Sequence, residues 1–278
     1  AVGEDAGGRP VIVVDDASTD RTAEIVAEYA ARDGRIRLIR QPENMSAFQA
    51  RRAGIFAARA PYLLFLDGDD ELDWQAAEMS LAKAEAEQAD LVQFGIEIVM
   101  PNGTSGGRWE ARSQPKCAEL VGESIVANLF PVGTPAAGQL WKYLFRTELL
   151  RAVYEQLPPD ARFYRANDLP IAFLAAVTAT RYASIPTKLY RYFWGRGGSG
   201  RAVRSVEDID FFMSAIDSFD IITEAVHEAA YRHSNPQFLL DAYASARTSI
   251  VGVAMRWAFN TADPKLLRVA ADRIRGRV

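Results

Sequence analysis

The chain has 278 residues, 49% of them hydrophobic and 24% charged, a profile that excludes a disordered polymer and allows a sizeable core. Lys and Arg total 32 against 36 Asp and Glu, and the net charge of −4 argues against a dedicated nucleic-acid binder. The single Cys117 excludes an internal disulfide, and with two distant histidines no structural zinc site can be assembled, so a reducing cytoplasmic setting fits.

Residues 1–10 carry acids and glycines where a secretory leader needs a basic and then an apolar segment, and no stretch approaches the roughly 18 apolar residues of a membrane span. The chain opens without Met, which fits an internal cut point. Residues 11–14 are β-branched, the pattern of a strand buried on both faces, and they run into Asp15-Asp16-Ala17-Ser18-Thr19-Asp20, rich in helix-capping side chains. A helix follows to Asp33-Gly34, then a strand at 36–39, a Gln41-Pro42-Glu43-Asn44 loop and a helix over 47–60. Residues 62–66 (Tyr-Leu-Leu-Phe-Leu) form a third strand leading into Asp67-Gly68-Asp69-Asp70, followed by a helix over 74–88 and a strand over 91–99. Strands alternating with helices of this length predict right-handed crossovers and an α/β fold with a mostly parallel sheet.

The middle of the chain is less regular, with helices expected over 141–150 and 169–180, a strand over 182–192 and a glycine-rich loop over 195–200. From Ser205 onward every signal is helical. Ser205 with Asp208 reads as a capping box, and Asn235-Pro236 and Asp263-Pro264 place Pro at a first helical position. Leu239, Tyr243, Ala246, Ile250, Val253 and Trp257 form an apolar seam. These shifts divide the chain into a domain over 1–204, with halves 1–100 and 101–204, and a helical region over 205–278.

The two acidic clusters each follow a buried-type strand, and in open α/β sheets the ligand crevice lies beyond the carboxyl ends of the strands. Carboxylates gathered there repel one another, and Mg²⁺ or Mn²⁺ relieves this while completing its shell with water and phosphate oxygens. Plain turn and helix-start roles for Asp67, Asp70 and Asp73 are the alternative on spacing alone.

The residues from Val11 to Thr22 (VIVVDDASTDRT) resemble the "VVDDxSxDxT" stretch of the family 2 glycosyltransferases of GT-A fold, and Phe65-Leu-Asp-Gly-Asp-Asp70 resembles their "FLDxDD" stretch with its DxD motif. Between them, Glu43-Asn44 and Ala50-Arg51-Arg52-Ala53-Gly54-Ile55 are similar to "EN.G…ARNxGI". Trp141 to Arg146, Leu189 to Tyr192 and Ser199 resemble later parts of many members, so the likeness covers roughly residues 10–200. It implies that Asp16 hydrogen-bonds the nucleotide base with Asp15 in support, and that Asn44 and Ser46 lie in the base-contacting loop. It also implies that Asp69 meets the metal on the diphosphate, Asp67 and Asp70 bind ribose, sugar or metal-bound water, and Arg51 steadies the crevice; an exposed helix arginine is the alternative for Arg51. The family's general base falls at Asp168, with Asn167 in place of the usual Glu, although Asp168 could equally cap the helix that follows.

The family's opening strand and helix have no counterpart before Val11, and Ser46 and Arg52 replace the common Gly and Asn. Either the chain is a fragment of a longer one, the reading favoured, or it is a degenerate member. The function implied is inverting transfer of a sugar from a nucleotide-diphosphate donor, UDP-linked by resemblance, to a cell-surface glycan or lipid-linked acceptor, with Mn²⁺ or Mg²⁺ as cofactor. A nucleotidyltransferase of similar fold and a non-catalytic binding or assembly module are the rivals. The basic end, with Lys265, Arg268, Arg273, Arg275 and Arg277, is either a peripheral contact with the inner membrane face or part of a helical cap. Cys117 reads as a passive thiol, and His227 and His233 as surface residues.

Overall fold

The computed structural model describes residues 8–196 and 202–278. The glycine-rich loop is therefore described only at Gly195 and Arg196, and Ser199 lies outside the described residues. The chain opens with β1 (Val11–Asp15), α1 (Thr22–Arg32), β2 (Ile36–Arg40) and α2 (Ser46–Ala57), and β1 pairs with β2 in parallel, as a crossover requires. Their two-stranded sheet stands apart from a six-stranded one built from β3 (Tyr62–Leu64), β4 (Glu71–Leu72), β5 (Leu91–Val99), β6 (Glu119–Val121), β7 (Tyr143–Arg146) and β8 (Arg181–Phe193). Among the described residues no strand lies on the other edge of β1. Val11 is 50% exposed and residues 12–14 are half-buried, so the expectation of a strand buried on both faces is corrected: no described strand covers that edge.

The larger sheet runs β3-β7-β5-β8-β4, with β6 on β8. The α/β class holds. Only β5 and β8 are parallel, however; β3/β7, β5/β7, β4/β8 and β6/β8 run antiparallel, so the sheet is mixed rather than mostly parallel. The helix expected over 141–150 is the source of part of this difference. Residues 140–142 make a single 3₁₀ turn, 143–146 are β7, and only then does α6 (Thr147–Glu155) begin. The apolar run Tyr143-Leu-Phe fits a strand between β3 and β5 because its side chains serve both faces. Tyr143 and Phe145 enter one core cluster and Leu144 the other.

One face of the sheet is covered by α3 (Ala76–Glu87), whose Ala76 and Ala84 are fully buried with Val92, Phe94 and Ile96 of β5. The register of β5 against β8 shifts at Gly95, where a Cβ would lie 2.5 Å from the Pro186 carbonyl oxygen, so only glycine permits that approach. The short α4 (Arg108–Ser113) packs on β5, and the other face of the sheet carries α5 (Ser124–Leu129), α6 and α7 (Asp168–Thr178), of which α7 is buried almost all round.

Of the last four helices, α8 (Val206–Asp220), α9 (Thr223–Ala230) and α10 (Pro236–Ala258) pack on α7, while α11 (Pro264–Arg275) packs on α8 and α10, and all four share one apolar cluster with α7. All three expected N-caps are made: Ser205 and Asp208 form a reciprocal capping box, Asn235 accepts from the Phe238 amide, and Asp263 accepts from the Lys265 amide. The seam of α10 is buried at Leu239, Tyr243, Ala246 and Ile250, then passes to Ala254 and Ala258 while Val253 is only half-buried. A straight helix of 3.6 residues per turn drifts off a seven-residue repeat in this way. His233 is a further correction: its imidazole is 8% exposed, accepts the Asn235 amide and sits beside Glu123, so it is enclosed rather than on the surface.

Candidate active site

The acids at the end of β1 do two different things. Asp15 is buried, accepts the Ser18 amide at 3.2 Å and faces Arg40 at 3.5 Å, so it holds the turn that closes β1. Asp16 accepts the Met45 amide at 2.7 Å, and its own carbonyl accepts from the Asn44 side chain at 3.4 Å. This ties the loop after β2, and with it the start of α2, to the end of β1. Ser46, the first residue of α2, is buried with φ of 84°, and its Oγ accepts the Phe163 amide at 3.3 Å. A positive φ is the conformation that glycine adopts freely, which matches Ser46 standing where the family commonly has Gly.

The acidic loop after β3 is positioned from the far end of the chain. Tyr190 of β8 donates its hydroxyl to Asp70 Oδ2 at 2.8 Å, and the Tyr190 hydroxyl oxygen accepts the Asp67 amide at 3.2 Å. The Phe193 amide donates to Asp70 Oδ1 at 2.9 Å. Burial, with the charges of Asp69 and Asp67 nearby, raises the Asp70 carboxyl to about 6 against those hydrogen bonds. The ring of Tyr190 stacks on Trp141, which also stacks on Tyr192, at centroid distances of 4.7 and 5.1 Å. Arg196, at the edge of the glycine-rich segment, donates to the Asp69 carbonyl at 3.3 Å.

Arg51 is the centre of the site. Five residues after Ser46 on α2, its side chain is only 12% exposed and its guanidinium meets three partners: Asp67 Oδ1 at 3.0 Å, Asp168 Oδ1 at 2.5 Å and Asn167 Oδ1 at 2.6 Å. The reading of Arg51 as an exposed helix residue is thereby set aside. Burial alone would lower its pKa, but the two carboxylates outweigh burial and hold it above the usual arginine value. Asp168 is raised by burial and by the charge of Asp67, with Arg51 pulling the other way. No side chain caps α7, so the Asp168 carboxylate is committed to Arg51 and to the Leu140 amide rather than to capping. Ala166, just before this pair, has φ of 53°, a turn that aims Asn167 and Asp168 at α2.

The arrangement thus joins Asp67, Arg51, Asn167 and Asp168 by direct contact and ties Asp16 and Asn44 to the start of the same α2. It gives Asp15 a turn-holding place. Tyr190 and Trp141 were matched in sequence only as parts of family-like segments, and Phe193 not at all. Their part in holding the acidic loop has no local signal, because the contact from Tyr190 to Asp70 crosses 120 residues.

Among the described residues no group of three acidic, histidine or cysteine side chains is gathered closely enough to hold a metal by itself. The donor set nonetheless fits one that takes its other ligands elsewhere. The Asp69 carboxylate makes no hydrogen bond or ion pair with any described residue, in contrast to Asp67 and Asp70 on either side. Hard oxygen donors of this kind suit Mg²⁺ or Mn²⁺, which are commonly held by one or two carboxylates plus water and phosphate oxygens.

Residues 9–140 match the model of the family described as glycosyl transferase family 2. The chain is 33% identical to glycosyltransferase GlyG of Streptococcus pneumoniae serotype 4 over 215 residues, covering 75% of this chain and 68% of that protein. It is 31% identical to the uncharacterized glycosyltransferase EpsJ of Bacillus subtilis over 189 residues, 66% of this chain and 52% of that one. To the succinoglycan biosynthesis protein ExoO of Rhizobium meliloti it is 28% identical over 220 residues, 75% and 59% of the two chains. The chain spans about half the length of several of the curated relatives it matches. In fold it is similar to residues 1–349 of TarS from S. aureus, solved in complex with UDP-GlcNAc, with a TM-score of 0.56 at 18% identity over 96% of this chain and 80% of that one. With the strand-end acids, the buried arginine and the GT-A architecture all in place, the chain belongs to glycosyl transferase family 2.

Proposed function

We propose that this chain carries the catalytic part of an inverting glycosyltransferase that moves a sugar from a nucleotide-diphosphate donor, UDP-linked, to a cell-surface glycan or lipid-linked acceptor. The observation that carries the reading is the Arg51 guanidinium held between Asp67 and Asp168, which puts the acidic loop and a half-buried carboxylate 101 positions apart in sequence into one site. Asp168, made more basic by burial, takes the proton of the acceptor hydroxyl as that oxygen attacks the anomeric carbon and the bond to the diphosphate breaks. Arg51 fixes the orientation of Asp168 while balancing the charge of both carboxylates. Asp16, Asn44 and Ser46 form the base-side wall, and Asp67 and Asp70 face the ribose and sugar. Asp69 would hold Mg²⁺ or Mn²⁺, which when bound neutralises charge on the departing diphosphate. The S. aureus TarS complex with UDP-GlcNAc supports the choice of donor class.

The test is Asp168→Asn. It keeps the hydrogen-bonding shape and removes the base, so turnover falls by roughly 100-fold or more while UDP binding survives. Near-normal turnover in that variant overturns the assignment. Release of UDP rather than pyrophosphate separates sugar transfer from the nucleotidyltransferase alternative, and no release from either donor type returns the chain to a binding or assembly module.

No helix among the described residues is long and apolar enough to cross a membrane. For the basic tail the cap reading is favoured over a peripheral membrane contact. Arg273 pairs with Asp210 and Arg277 with Asp217, both at 2.7 Å on α8, and Arg275 pairs with Asp272 at 3.0 Å. Only Lys265 and Arg268 of the five cations remain without a carboxylate among the described residues, too few for more than a weak attraction to an anionic surface.

A further inference from the structure

A cavity of about 140 Å³ lies beneath the segment 131–137, between the starts of β7 and β8 and the middle of β5. Its wall holds three cations, Lys142, Arg112 and Lys116, and no acidic side chain. Lys142 is 2% exposed, lines the cavity, and spends one of its three N–H donors on the Ala137 carbonyl at 2.7 Å. None of the three cations has a carboxylate within ion-pair distance among the described residues. A buried ammonium without a counter-charge is costly, and here burial, followed by the charge of Lys116, pulls it down to about 7. The polar groups around it are already occupied: Gln93 bonds the Ser113 carbonyl and accepts from Tyr182, and Gln114 is bonded to both backbone groups of Ile96. Apart from the Tyr143 ring, whose centroid lies 5.4 Å from the Lys142 Nζ, the remaining donors have no acceptor among the described residues, and an anion would favour the protonated Lys142 and satisfy them.

The position of the cavity relates it to the transfer site. Leu144 of β7 pairs with Leu64 of β3, so β7 begins at the end of β3 that runs into Asp67. Within the 3₁₀ turn that precedes β7, the Leu140 amide donates to Asp168, Trp141 stacks under Tyr190, and Lys142 enters the cavity.

We infer that this cavity binds a carboxylate group carried on the acceptor, an inference that rests on the transferase reading above for its choice of occupant. The chemistry recognised is a compact oxyanion, and a free phosphate is the other source of it. NMR titrations of the full chain with D-glucuronate, D-glucose and inorganic phosphate, read at the Trp109 indole and the Lys142 ammonium, test it. The expected result is that glucuronate binds roughly tenfold or more tightly than glucose and more tightly than phosphate, and that Lys142→Met abolishes the preference. Because Lys142 is buried, the exposed pair Arg112→Ser and Lys116→Ser provides a second variant that leaves the core untouched; it weakens glucuronate binding several-fold. Equal binding of glucuronate and glucose, or a preference that survives in both variants, overturns the site. Phosphate binding as tightly as glucuronate overturns the acceptor assignment. UDP titrated in parallel keeps the two readings distinguishable: its binding is unchanged in these variants, and its failure to bind wild type counts against the transferase reading without touching the cavity.

Discussion

Ser46 shows how a single residue can be held in place against its own backbone preference. A non-glycine residue at φ of 84° carries strain of about 1 kcal/mol, while its Oγ satisfies the buried Phe163 amide, which is worth a similar or larger amount. Ser46→Ala keeps the strain and deletes the bond, so it is expected to cost about 2 kcal/mol. Ser46→Gly relieves the strain but adds chain entropy, so its cost falls to about 1 kcal/mol. Denaturant unfolding of both variants measures the difference, and equal losses would show that the φ has no energetic consequence. At this scale much of the site was legible: Asp16, Asn44, Ser46, Arg51, Asp67 and Asp168 all lie on the motif-bearing loops and helix expected from sequence. Which partner each would take was not legible, because a carboxylate that turns back on its own loop, like Asp15, has the same local sequence signature as one that faces a ligand.

At the level of the elements, Asp90 joins three strands of the larger sheet. From the start of β5 it accepts Arg146 Nε of β7 at 2.8 Å and, at the entry to β8, the Thr180 amide and hydroxyl and the Arg181 amide. Burial would raise its carboxyl, but the Thr180 bonds, then Arg146 and Arg181, outweigh it and hold the group below its usual 3.8. A carboxylate lowered in the folded state contributes stability that is present above the unfolded value and lost as pH falls through the folded one. Asp90→Ala is therefore expected to cost about 2–3 kcal/mol at pH 7, where it strands several donors, and the gap from wild type should close as pH falls below about 4. Urea unfolding across pH 2–7 checks this, and a gap independent of pH would assign Asp90 a packing role only. The same region shows why periodicity misplaced one helix. Residues 141–146 contain no breaker, and only the free edges of β3 and β5 on either side turn Tyr143-Leu-Phe-Arg into a strand.

For the whole molecule, a ligand that binds only the folded state must raise apparent stability, by about 2.7 kcal/mol at a hundred times its dissociation constant. With Asp69 the one acid of its loop left uncommitted among the described residues, UDP and Mn²⁺ together should raise Tm by several degrees, and Asp69→Ala should lose most of that shift. Equal shifts in wild type and Asp69→Ala would remove the metal assignment while leaving nucleotide binding in place. The C-terminal helices take part in this cooperative unit, because α8 to α10 share the apolar cluster of α7, the helix that presents Asp168.

The sequence by itself determined the strand and helix order of the first half, the caps of the last helices and the family, and it marked the residues proposed for the site. These are short-range features: alternation, capping chemistry and motif spacing are written within a few residues of where they act. Only the tertiary structure decided that Arg51 would be the shared partner of Asp67 and Asp168, that Tyr190 would hold Asp70, and that Lys142 would be buried without a counter-charge. Each depends on side chains brought together from distant segments and on how completely water is excluded around them, and neither quantity has a signature in local sequence.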